Sequence, residues 1–149
     1  MKWVTRRRIQ VNRAATAWLV RRFLEPSVEF VFVEPAEVAG VQEREGAIGF
    51  DAPGARYPHQ DAQGRCSFEA LVHERLADDP VLMALARIVR GADFDDQLGL
   101  TPESAGLQAI SRGFPLVTQD DHETVARAAF VYDALYASIK KRLESQGGR

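Results

Sequence analysis

The chain has 149 residues, enough for one domain over residues 1–149 whose core needs neither a disulfide nor a metal to hold it. Lys and Arg number 19 against 21 Asp and Glu, a formal net charge of −2, so no overall field draws the chain to nucleic acid or an anionic membrane, and any anion site has to be local. Cys66 is the only cysteine, which excludes an intrachain disulfide and a cysteine-rich zinc motif; with no apolar h-region behind "MKWVTRRRIQVNR" and no run near the roughly 18 apolar residues that span a bilayer, the expected location is cytoplasmic and away from membranes.

In chain order, "KWVT" reads as a short strand. Asn12 can cap the next segment, and Trp18, Leu19, Phe23 and Leu24 form an apolar stripe ending at Glu25-Pro26, which predicts a helix over 13–24. "SVEFVFVEP" has one polar interruption among β-favouring residues, the pattern of a strand covered on both faces. Pro35 suits a first helical turn, Gly46 ends that helix, and "AIGF" makes a third strand. The stretch "DAPGARYPHQDAQGRC" reads as loop. Ser67 can cap a helix carrying Phe68, Leu71, Val72 and Arg75, and Asp79-Pro80 opens another that Gly91 ends. A shorter helix runs from Thr101-Pro102-Glu103 to Gly113. Thr118 with Asp121 matches a capping box for a long last helix, where Val125, Ala128, Tyr132, Leu135, Ile139 and Leu143 recur at three and four. Residues 145–149 read as a frayed tail. The expected class is α+β, with short amino-terminal strands alternating with helices and a mainly helical second half.

Two constellations carry chemistry. Arg13, Ala17 and Arg21 fall in one helical row with Trp18 beside Arg21 and Arg22, so that a small alanine between two guanidinium forks leaves room for an oxyanion. The competing reading is a solvated face of salt-bridged arginines. His59 and His122, with carboxylates available at Asp93, Asp120, Asp121 and Glu123, suit a divalent metal such as iron, manganese or zinc with positions left open for water or substrate. Here the competing reading is that Asp120, Asp121 and Glu123 only decorate a helix amino terminus. His73, four residues after Glu69, is expected to face solvent with it. Cys66 precedes a helix start, where a thiol can be activated, but equally reads as a small buried hydrophobe. No phosphate-cradling glycine loop, nucleophile elbow, paired-histidine helix or CxxC pair is present. The "RRR" at 6–8 lacks interleaved aromatics and reads weakly as a nucleic-acid contact.

The stretches "WVTR", "RAATAWLVRRFLEP", "GARYPHQDAQGRCSFEALV", "ARIVRGAD" and "DDHETVARAAFVYDALYA" resemble, in order and over nearly the whole chain, the chromate-resistance protein family, specifically the carboxy-terminal domain of ChrB-type proteins. The resemblance implies a role near chromate resistance or sensing. Longer members carry an amino-terminal region associated with transcriptional regulation that this sequence has no room for, so nucleic acid is not an expected partner. The family pattern falls on Arg13, Trp18, Arg21, Arg22, His59, Cys66, Arg90, Gly91 and Asp93, and then on Asp120, Asp121, His122, Glu123, Tyr132 and Asp133. Where the family usually has aspartate, cysteine and proline, this chain has Asn12, Thr16 and Ala17. Chromate is a tetrahedral dianion that Arg13, Arg21, Arg22 and Arg90 can bind by charge-assisted hydrogen bonds. Its reduction takes three electrons, which Cys66 alone does not supply.

The leading expectation is a metal-binding, oxyanion-responsive protein: His59, Asp93, Asp121, His122 and Glu123 on the metal, Arg13, Trp18, Arg21, Arg22 and Arg90 around the anion, and Cys66 as a redox candidate. A small metalloenzyme acting on chromate or superoxide is the second. An interaction module, in which Tyr132 and Tyr136 meet a partner or a second copy in a homodimer, is the third.

Overall fold

A computed structural model describes residues 1–147. Three parallel strands, β1 (Lys2–Arg6), β2 (Glu29–Val33) and β3 (Ile48–Gly49), are ordered β2-β1-β3. Between them run α1 (Val11–Leu19), which continues as a π-helical turn over Val20–Leu24, and α2 (Val38–Glu45), entered through a 3₁₀ turn at Pro35–Glu37. Four helices follow: α3 (Ser67–Arg75), α4 (Pro80–Asp93), α5 (Ser104–Val117) and α6 (Asp121–Gly147). The α+β expectation holds, as does the long last helix.

Side chains alternate across a strand. Trp3 therefore faces the main core with Phe30 and Phe50, while Val4 faces a smaller core with Val38, Val41 and Ala52 under α2. The strand covered on both faces is thus β1. β2 is an edge strand whose Glu29 is exposed, and its apolar run comes from packing one face while the other is only half covered. All nine residues of α1 are buried, because α3, α4, α5 and α6 pack around it.

Several expected boundaries move, each for a visible reason. Asn12 does not cap α1. It lies inside the helix, donates to Asp51 Oδ2 (3.0 Å) and Ser67 Oγ (2.6 Å), and its Oδ1 accepts from Phe68 N–H (3.1 Å). A residue of the cap-forming type thus caps α3 from a distance, in place of Ser67. Asp79 does cap α4, accepting from Val81 and Leu82. Gly91 does not end that helix, which runs on to Asp93. Glycine stands there for space: a Cβ would overlap Ser104 Oγ and lie 3.0 Å from the Gln97 carbonyl, while Ser104 Oγ donates to Ile88 O at 2.9 Å. Gly91→Ala should cost about 1–3 kcal/mol by overpacking, read as a lowered urea midpoint with unchanged slope.

α5 runs past Gly113 to Val117, with Pro115 in its last turns. At α6 the cap is Asp120, which accepts from Glu123 N–H, while Thr118 Oγ1 bonds Phe114 O and Thr124 Oγ1 instead. The helix continues to Gly147, so residues 145–147 of the expected frayed tail are helical; 148 and 149 lie outside the described residues. Among the described residues no helix is long and apolar enough to cross a membrane.

Candidate functional site

In an open parallel sheet, ligands favour the crevice beyond the carboxyl ends of the strands, where the connections leave in opposite directions. With the order β2-β1-β3, that point lies between β1 and β3. Arg6 ends β1, and Asp51 follows β3 by two residues. Their side chains meet: Arg6 Nε donates to Asp51 O (2.7 Å) and its Nη2 to Asp51 Oδ1 (3.1 Å).

Asp51 is buried and adopts φ 50, a left-handed backbone that aspartate and asparagine tolerate better than most residues. Its Oδ1 also meets His59 Nδ1 at 2.8 Å, and its Oδ2 takes the Asn12 amide with Arg13 Nε at 3.6 Å. Asp93, from the last turn of α4, completes the group: its Oδ2 lies 3.9 Å from His59 Nδ1, buried and without a hydrogen-bond partner. One ligand atom from each of Asp51, His59 and Asp93 falls within 4.8 Å of the other two. Beside them opens a polar cavity of 340 Å³, which Arg6, Asn12, Arg13, Ser111 and Arg112 also line. Ser111 Oγ is a second buried polar atom there without a partner.

The environments push the two carboxyls apart. Burial would raise Asp51, but hydrogen bonds from His59 and Asn12 and the charges of Arg6 and Arg13 outweigh it and hold the carboxyl well below the usual carboxylate range. Burial, then the Asp51 charge, pushes Asp93 up to about 7 against the pull of His59, Arg13 and Arg6. The hydrogen bond to Asp51 raises His59 although partial burial opposes it. Asp93 therefore keeps its proton up to about 7, and that proton has to leave before the carboxylate can take a metal.

Of the residues proposed from sequence for a metal, the structure brings together His59 and Asp93. Asp121 accepts from the backbone N–H groups of Arg8 (3.0 Å) and Ile9 (2.9 Å), which fixes the turn into α1. His122 is outside the cluster: it is exposed, edge-on to Phe32 at 4.9 Å between ring centres, in a separate surface cleft with Arg7 and Arg8. Glu123 accepts from Gln119 N–H and pairs with Arg127 at 3.8 Å.

The arginines separate too. Arg13 is buried and directs N–H groups to the carbonyls of Arg6, Arg7 and Arg8; burial, then Arg6, lowers its pKa, with Asp51, Asp93 and Asp121 pulling the other way. Ala17, meant as the gap in the arginine row, is wholly buried in the core. Arg21 lies over the Phe30 ring, and Arg22 and the Trp18 indole N–H both reach Asp133 Oδ1 at 2.8 Å. Arg90 pairs with buried Glu69 at 2.9 Å, so Glu69 is not solvent-facing with His73 as expected. Cys66 is fully buried and burial pushes its thiol up, the opposite of an activated cysteine. Tyr132 is also buried, donating to Val11 O at 2.8 Å, and so is not presented to a partner.

Sequence reasoning missed Asp51, Arg6, Arg112 and Ser111. A signal was available for Arg6, an arginine ending the first strand of a strand-helix alternation, whereas Asp51 becomes recognisable only once the strand order is known.

The family described as ChrB, C-terminal domain, matches residues 3–139. The chain is 33% identical over 147 residues to Protein ChrB of Cupriavidus metallidurans, an alignment covering 95% of this chain and 42% of that relative. It therefore spans less than half the length of the curated relative it matches. No solved structure matches it. On the family match over most of its length, the chain belongs to the ChrB C-terminal-domain family.

Proposed function

We propose that the crevice between β1 and β3 binds a divalent metal through Asp51, His59 and Asp93 and holds a small oxyanion beside it. The family's chromate-resistance context makes chromate the first candidate for that anion. The observation that carries this reading is Asp93 Oδ2: a buried carboxylate oxygen with no donor, facing an imidazole nitrogen and a second carboxylate. Such an oxygen costs free energy unless a proton or a cation meets it. One nitrogen and two oxygen donors suit iron, manganese or zinc, and three protein ligands leave positions open. His59 is about half exposed, which gives the open side access to solvent.

The anion would lie against the guanidinium N–H groups that Arg6 and Arg112 keep free beyond their pairs with Asp51 and Asp95, near the first turn of α1, which lacks a side-chain cap and favours negative charge. Arg13 contributes charge from behind, since most of its N–H groups are held by carbonyls. A bound metal would supply a fixed positive charge for that anion.

Elemental analysis of protein purified without chelator should give close to one metal per chain. His59→Ala and Asp93→Asn should lose it, while His122→Ala keeps it. Metal absent from the wild type after reconstitution, or retained in both crevice variants, would overturn the assignment.

A further inference from the structure

A second cavity, of 520 Å³, lies between α3 and α4 and shares no lining residue with the crevice. Arg65 reaches it from the loop before α3, His73 from α3, and Arg87 and Arg90 from adjacent turns of α4, with Met83 and Ala84 as its apolar floor. Glu69 is the one acidic residue lining it, and its charge is taken by Arg90 Nη1 at 2.9 Å. Arg90 Nε is buried with no acceptor. Among the described residues the Arg65 and Arg87 side chains enter no ion pair, a property shared with Arg8, Arg21, Arg44, Arg56 and Arg75, and both line this one cavity, whereas Arg6, Arg7, Arg13, Arg22, Arg112, Arg127 and Arg142 each have a carboxylate partner. In a chain of net charge −2, this groove therefore concentrates two unspent guanidinium charges beside an unsatisfied donor.

We propose that the α3–α4 groove is an anion site for a phosphoryl-bearing molecule, separate from the metal crevice. Guanidinium forks converging from two segments match a dianionic phosphoryl group by paired hydrogen bonds. The groove is far roomier than a single tetrahedral anion needs, and its Met83–Ala84 floor gives an organic body somewhere to rest. The proposal does not rest on the metal reading, because the two sites have no residue in common.

Isothermal titration of the full chain with inorganic pyrophosphate and, separately, adenosine monophosphate tests it. Saturable binding of at least one is expected, and the tighter of the two shows whether the ligand is an inorganic polyanion or an organic ester. Arg65→Gln and Arg87→Gln should each weaken it at least tenfold with the melting temperature unchanged, since neither side chain holds an internal partner. Asp93→Asn should leave it unaltered. The proposal is overturned if neither compound binds at millimolar concentration, if both arginine variants bind as wild type does, or if Asp93→Asn abolishes binding.

Discussion

Urea denaturation of Asp51→Ala is expected to show a loss of roughly 3–5 kcal/mol, the range for removing one partner from a buried ion pair. The carboxylate is the shared acceptor for Arg6, His59 and Asn12, with Arg13 close by, and it lies almost wholly out of solvent. Without it two arginines face each other across the end of β1, and alanine inherits a backbone at φ 50 that its Cβ resists. Asp51→Asn keeps the backbone tolerance and removes only the charge, so its loss should be smaller. The stabilisation from Asp51 is present above the unfolded carboxylate value of about 3.9 and is lost as pH falls through its depressed folded value. An Asp51→Ala midpoint within about 1 kcal/mol of wild type would show that this carboxylate does not organise the crevice.

Asp93→Asn is expected to do the reverse: to raise the melting temperature of metal-free protein at pH 8 while abolishing metal uptake. Folded Asp93 keeps its proton up to about 7, whereas an unfolded aspartate loses it near 3.9. Between those values the folded state binds more protons than the unfolded one, so stability falls as pH rises from about 4 to about 7. His59 adds to the same slope: its raised folded pKa stabilises fully below about 6.5 and that gain is lost as pH climbs through the folded value. The Asp93 gap corresponds to at most ~4 kcal/mol, which bounds the rise in melting temperature at roughly 8–16 °C. The variant's melting temperature should depend less on pH between 5 and 8 than the wild type's. A lowered melting temperature at pH 8 would mark Asp93 as a structural residue. A raised one, with metal lost, is the signature of a group kept at a cost in stability for what it binds.

The strand-helix alternation and the long last helix were legible because each rests on local period and on turn residues: Asp79-Pro80 and Gly46 act where they stand in the sequence. The site was legible in part. His59 stood out as a histidine in a loop, and Asp93 came with the same motif set. Asp51 did not, since a lone acid after a two-residue strand carries no spacing signature; only the strand order makes it central. The three arginines at 6–8 looked like one basic cluster, yet a strand end and a turn send them apart: Arg6 to Asp51, Arg7 to Glu34 and Arg8 to the surface cleft. His122 followed the motif and not the fold, and Asn12 was read locally when its partners lie 39 to 56 residues away.

The turn between β1 and α1 is pinned from the far end of the chain. Asp121 holds the amides of Arg8 and Ile9 across 113 and 112 residues, and the Tyr132 hydroxyl holds Val11 O across 121. Loop closures that long are late and slow events in folding. A ribosome has therefore to make α6 before the crevice can take its final shape, and a product ending short of α6 would carry Arg6, Asp51, His59 and Asp93 without the clamp that sets the first of them against the others. Occupancy of the crevice would thus also report that synthesis had reached the last helix.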